Sequence, residues 1–237
     1  MYKRQTADGS LAKPFKTIKN ALEYAQSKSR TVTVYVLEGT YTGNLNANLD
    51  IQVNTDISIV GDGENKTIIF NPAAKYFITA LQGKGSLKIA NMTIDRVGKD
   101  TQSALYIEKN VHVMIDTVEF INGKGNYGGA INSAGILTIK NSYFFNNGHA
   151  DPVKRQNAYA GGAIYNDGYL TIDNTTFVAN HATRASTIAN QGNLYMNNSQ
   201  IIDSISASSL NMDYRVIASF NVCLLYTSPS PRDYAAS

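Results

Sequence analysis

The 237-residue sequence has no tryptophan, one cysteine, five prolines and three histidines. A single cysteine excludes an internal disulfide framework and a cysteine-ligated zinc site. Charged residues are scarce at 16%, but 43% are hydrophobic, so the chain is too apolar to be disordered. No apolar run approaches the roughly 18 residues of a membrane span, so no membrane insertion by this segment is expected. His112, His149 and His181 share no ligand spacing, and the glycine–aspartate nonapeptide of calcium-binding repeats is absent. No metal and no cofactor is expected. What the sequence has in excess is asparagine, and most of it falls between positions 110 and 200, so the excess is a local pattern.

The two ends read as foreign to the protein. CLLYTSPSPRD (Cys223 to Asp233) is a translation of a common transposon sequencing adapter, and MYKRQ (Met1 to Gln5) is the mirrored match to the same adapter core. On this reading residues 1–5 and 223–237 are adapter-derived, and 6–222 is a piece of a longer gene, truncated at its C-terminal end. Setting aside Lys3, Arg4 and Arg232 against Asp233 lowers the formal charge from +3 to +1. A chain this close to neutral offers no electrostatic footprint for nucleic acid, and no nucleic-acid partner is expected.

Internal repetition dominates the rest. LKIANMTI (87–94), VMIDTVEF (113–120), LTIKNSYF (137–144), LTIDNTTF (170–177) and LYMNNSQI (194–201) recur at nearly constant spacing, with one longer interval before the fourth unit. A second pattern, SALYI (103–107), GGAIN (128–132), GGAIYN (161–166) and STIAN (186–190), keeps the same spacing and the same longer interval. Two markers that move together define a structural period. Each unit is rich in Val, Ile, Thr, Tyr and Phe, with apolar residues at every second position between turn residues, which predicts short strands. The fold class expected is all-β: a single-stranded right-handed parallel β-helix, a solenoid whose coils stack about 4.8 Å apart. Leu87, Val113, Leu137, Leu170 and Leu194 are expected to form one inward column. Ile89, Ile115, Ile139, Ile172 and Met196 form the next, and Ile94, Phe120, Phe144, Phe177 and Ile201 a third. Asn91, Asn141, Asn174 and Asn198 fall in the turn after the strand, with Thr117 as the exception, where stacked amides form a structural ladder. Gly128-Gly129 and Gly161-Gly162 read as tight bends. Phe15, Ile18, Leu22 and Ala25 lie at helical spacing, so residues 15–27 are expected to form a capping helix across the open first coil.

The GGAI units and the FxxN units (Phe144 with Asn147, Phe177 with Asn180) resemble the paired motifs of polymorphic outer membrane protein repeats. The opening DGSLAKPFKTIKNALEYA, followed by VYVLEGTY and ISIVGDG, resembles the start of pectin-lyase-like right-handed parallel β-helices. Together they are most similar to adhesin-like surface proteins of methanogens and gut microbes. The resemblance implies an extracellular or cell-surface module, a rigid spacer or a binding surface for glycans or cell-surface proteins. Gly123 and Ser204 depart from the FxxN pattern, and SALYI lacks the glycine pair.

The alternative is a polysaccharide lyase or glycoside hydrolase of the same fold. Hydrolases need paired carboxylates and lyases need acidic calcium ligands with a base. The DD and GHG signatures of hydrolytic members are absent, and the reading leans away from an enzyme, with no catalytic residue assigned. A phage-type tail spike is a third, weaker reading. Asp116, Lys140 and Asp173 recur at one outward position and read as a solvent-exposed ladder of alternating charge. The longest interval of the repeat contains a polar excursion, HADPVKRQNAY (149–159), which interrupts an otherwise regular coil. Its His149, Asp151, Lys154, Arg155 and Tyr159 are the candidate binding residues, because loops that project from solenoids carry contacts.

Overall fold

The computed structural model describes residues 7–28, 30–70, 76–97, 102–148, 158–202, 210–212 and 222–225, the last two segments by backbone alone. The chain forms an all-β right-handed parallel solenoid of about six turns with one short helix near its start. Each later coil repeats one sequence of events. A three-residue strand such as Ile131–Ser133 is followed by a longer one such as Ile136–Lys140, then a sharp turn, then Tyr143–Phe145. The first kind builds a seven-stranded sheet from Leu49–Gln52 to Leu210–Met212. The other two merge into a thirteen-stranded sheet that wraps the remaining sides.

The register follows the repeat. Leu137 lies between Val113 and Leu170, Ile139 between Ile115 and Ile172, and Phe144 between Phe120 and Phe177. Alternation puts these side chains inside, and all are buried. The phenylalanine rings stack face to face, with centroids 4.9 Å apart for Phe120–Phe144 and 4.8 Å for Phe144–Phe177. That distance is the coil spacing itself, so each ring rests on the one below.

The turn after the long strand is tight because one residue takes a left-handed conformation. Asn91, Thr117, Asn141, Asn174 and Asn198 have φ between 46° and 56°. Asparagine tolerates this region best among residues with a side chain. Gly128 and Gly161 bend the chain ahead of the short strands with φ of 69° and 70°. Their neighbours Gly129 and Gly162 lie against backbone of the next coil, where a Cβ would collide with Gly162 O and Ser186 O respectively.

The helix spans Ile18–Gln26, shorter than the expected 15–27. Thr17 starts it by accepting the Asn20 N–H at 3.3 Å, and Ile18, Leu22 and Ala25 are buried against the first coil. Phe15 precedes the helix and packs on Tyr24, ring centroids 5.3 Å apart. At the other end Val222–Leu225 runs parallel to Ser199–Ile202. The ladder therefore continues across residue 222, after which the adapter-derived run is read to begin.

Candidate functional site

The turn side chains form several hydrogen-bonded columns. Asn174 donates to Asn141 Oδ1 at 2.8 Å, and Asn141 donates to Asp116 Oδ1 at 2.9 Å. Thr117 stands where the next asparagine would be, so the column ends on the carboxylate one residue earlier. Asn198 donates to Asp173 Oδ1 at 3.1 Å, and Asn91 lies outside these bonds. The carboxyl of Asp116 is held below the ordinary aspartate range by the Asn141 amide first and by the nearby Lys88 charge. Lys140 sits in register between Asp116 and Asp173, but Asp116 pairs with Lys88 instead, at 3.4 Å. The expected alternating charge ladder is thus replaced by amide–carboxylate bonds, because the left-handed turn carries the asparagine amides onto the acids.

Further asparagine columns lie outside the expected ladder, one of them running from Asn146 to Asn122 at 2.7 Å and on to Asp95 at 3.0 Å. Asn147 and Asn180, of the FxxN units, are fully buried. Asn147 donates to Asn180 Oδ1 and to Phe120 O, both at 3.0 Å, and Asn180 donates to Phe144 O at 3.0 Å. Where Gly123 replaces the motif's asparagine, its N–H donates to Asn147 Oδ1 at 2.8 Å. Buried Asn166 donates to Asn190 Oδ1 at 2.6 Å. Asn147, Asn180, Asn166 and Asn190 all close repeated motifs of the sequence, FxxN, GGAIYN and STIAN, and their spacing equals the period.

Of the candidate binding residues, His149, Asp151, Lys154 and Arg155 lie outside the described residues. Tyr159 is described, on the strand Ala158–Ala160 that pairs with Ala182–Arg184. Its N–H donates to Asn126 O at 2.8 Å, and its exposed ring meets Tyr127 edge-on, centroids 5.5 Å apart. Tyr127 in turn meets Tyr165 edge-on at 5.2 Å. The Arg184 guanidinium lies over the Tyr159 ring, 5.1 Å from its centroid. Tyr165 rests on the buried alanines Ala160, Ala185 and Ala189, and its hydroxyl donates to Gln191 Oε1 at 2.8 Å. Burial, then the charge of Asp167, raises the Tyr165 hydroxyl above the ordinary tyrosine value. Three tyrosines and an arginine thus form a packed, partly exposed aromatic patch beside the seven-stranded sheet.

Acidic chemistry is elsewhere. Burial and the charge of Glu119 raise the Glu64 carboxyl, and the Thr93 hydroxyl donates to Glu119 Oε2 at 3.0 Å. Glu119 also raises the neighbouring Tyr143 hydroxyl, after burial. This group stands on the thirteen-stranded sheet, away from the tyrosine patch. Among the described residues no group of three or more His, Cys, Asp and Glu could hold a metal ion.

The fold has solved relatives. A pectin methylesterase in complex with a hexasaccharide superposes with a TM-score of 0.59 at 17% identity, covering 89% of this chain and 70% of its own. The pectin methylesterase from Yersinia enterocolitica gives 0.56 at 14% identity, covering 83% and 69%. At these identities the likeness is one of fold, the pectin-lyase-like β-helix. No curated protein matches the sequence. A family defined as proteins of unknown function, DUF1565, matches residues 3–214, and the chain belongs to that family.

Proposed function

We propose that this chain is a non-catalytic, extracellular glycan-binding β-helix module of a cell-surface protein. The observation that carries the reading is the patch of Tyr127, Tyr159 and Tyr165 with Arg184 over one ring. The apolar C–H face of a pyranose packs on an aromatic face, and the aromatic edge-to-face contacts hold the platform in place before the ligand arrives. Arg184 adds a bidentate donor for a hydroxyl or an acidic substituent. The pectin methylesterase relative carries a hexasaccharide, which supports glycan contact on this fold. Display at the cell surface rests on the repeat motifs alone. The test is binding of the chain to a glycan array, with Tyr159→Ala and Arg184→Ala as variants. Loss of binding in both, with the melting transition unchanged, is the expected outcome. Retained binding in both would remove the patch from the reading.

The second reading, a carbohydrate-active enzyme, is favoured by the interacting carboxylates Glu64 and Glu119 beside Tyr143 and by the fold of its neighbours. A pair of carboxylates is the requirement for acid–base chemistry on a glycan. Release of methanol or of reducing ends from pectin by the wild-type chain, abolished by Glu119→Gln, would establish this reading over the first.

A further inference from the structure

The tyrosine patch is one end of a longer feature. On the seven-stranded sheet the outward-facing column reads Thr79, Tyr106, Asn132, Tyr165, Ala189, each in register with the next. Tyr106 and Tyr165 are therefore two coils apart, about 10 Å along the solenoid axis. Tyr106 is itself paired with a second ring, Tyr76, centroids 5.6 Å apart. Two aromatic platforms thus stand on one face: Tyr76 with Tyr106, and Tyr165 with Tyr127 and Tyr159. Asn132 lies between them, half-buried, and its side-chain amide makes no hydrogen bond among the described residues. Buried Ser133 and Ile131 on either side fix the strand that carries it.

Resting on the glycan-binding reading, we infer that the ligand is a linear glycan laid along the solenoid axis, stacked on both tyrosine platforms, with its hydroxyls on the Asn132 amide between them. A pyranose ring is about as long as one coil is high, so successive sugars meet successive coils. One sugar covers one platform; a chain is needed to reach the second. The amide offers both donors and an acceptor, which matches the alternating demands of vicinal hydroxyls. Separate weak contacts joined in one rigid ligand add as effective concentration, so affinity depends on chain length. Neutral and uronate chains share this stacking chemistry and differ at Arg184.

The test is calorimetric titration of the full chain with two length series, cello-oligosaccharides and oligogalacturonides, each from the disaccharide to the hexasaccharide. Affinity is expected to rise steeply at the length that bridges the platforms. Tyr106→Ala is expected to weaken the hexasaccharide roughly five- to tenfold and leave the disaccharide unchanged. Tyr106→Phe, which keeps the ring, should bind as wild type and controls for folding. Asn132→Ala should weaken the long chains only. A preference of the uronate series that disappears in Arg184→Ala would identify an acidic ligand; equal binding of both series, a neutral one. If Tyr159→Ala abolishes binding but affinity is independent of length and of Tyr106, the axial chain is overturned and the local patch stands. If neither series binds, or binding survives both tyrosine variants, the glycan reading falls with it.

Discussion

The coils before residue 97 and those from 103 to 202 solve the same packing problem differently. The early coils bury aliphatic side chains, among them Val34, Val36, Ile57, Ile59 and Ile69. Their turns are closed by individual bonds: Asp62 Oδ2 accepts the Glu38 N–H at 2.7 Å, and the Thr67 hydroxyl donates to Val36 O at 3.0 Å. A cavity of about 400 Å³ lies between the helix and the first strand, lined by Phe15, Tyr24, Tyr35 and Tyr41 among others. The later coils use columns, with stacked phenylalanines inside and asparagine amides passing hydrogen bonds from coil to coil. A column of like residues needs the same residue at the same phase of each coil, and the sequence repeats that way only from Leu87 onward. Its bonds also polarise one another, so a break at one level is felt by its neighbours. Early substitutions should therefore act locally, and later ones along the axis.

Phe144→Ala is the largest break, expected to cost about 3–5 kcal/mol because it opens a cavity between two stacked rings. The early-coil counterpart, Ile59→Val, should cost about 0.5–1.5 kcal/mol. Urea denaturation of both variants measures the difference; a Phe144 loss below about 1 kcal/mol would mean the column is not tightly packed. Next is Asn180→Ala, expected to cost about 1–3 kcal/mol, since it strips partners from the buried Asn147 amide and Phe144 carbonyl. Hydrogen exchange should speed at Asn147 as well as at position 180, one coil away. Thr17→Ala removes the helix cap and should cost about 1 kcal/mol, with faster exchange confined to Ile18–Gln26.

The smallest effect is in pH, where the two regions have opposite signs. The folded-state affinity of Asp116 for a proton is depressed, so its contribution is present above the ordinary value of 3.8 and is lost as pH falls through the lower folded value. Asp116→Asn should flatten that acid loss. Glu64 is raised above 4.5 in the folded state, so its contribution is greatest below 4.5 and is lost as pH rises through the higher folded value. Glu64→Gln should be slightly more stable than wild type at neutral pH and indistinguishable from it in acid. Both groups are largely solvated, so the effects on stability are small. Thermal melts of the two variants between about pH 3 and 7 check the signs.

Periodicity by itself determined the solenoid, the three inward columns and the phase at which Asn141 and Asn174 meet. In a parallel coil the sequence interval is the register, so equal spacing becomes vertical contact. It also carried the tyrosine patch part of the way. Tyr127 bridges to Ala160, and Ala160 pairs with Arg184. Both separations are intervals of the repeat itself, the longer one and the regular one. The tertiary structure decided where the side chains aim. Left-handed turns swing the Asn141 and Asn198 amides onto Asp116 and Asp173, so Lys140 pairs with neither acid despite its register. The alanine floor under Tyr165 holds that ring beside Tyr127, and the two-coil gap puts Tyr106 on the same face with Asn132 between. Spacing specifies which residues are neighbours along the axis. The direction of each side chain depends on local φ and on what fills the space beneath it, and that is settled only when the coils are packed.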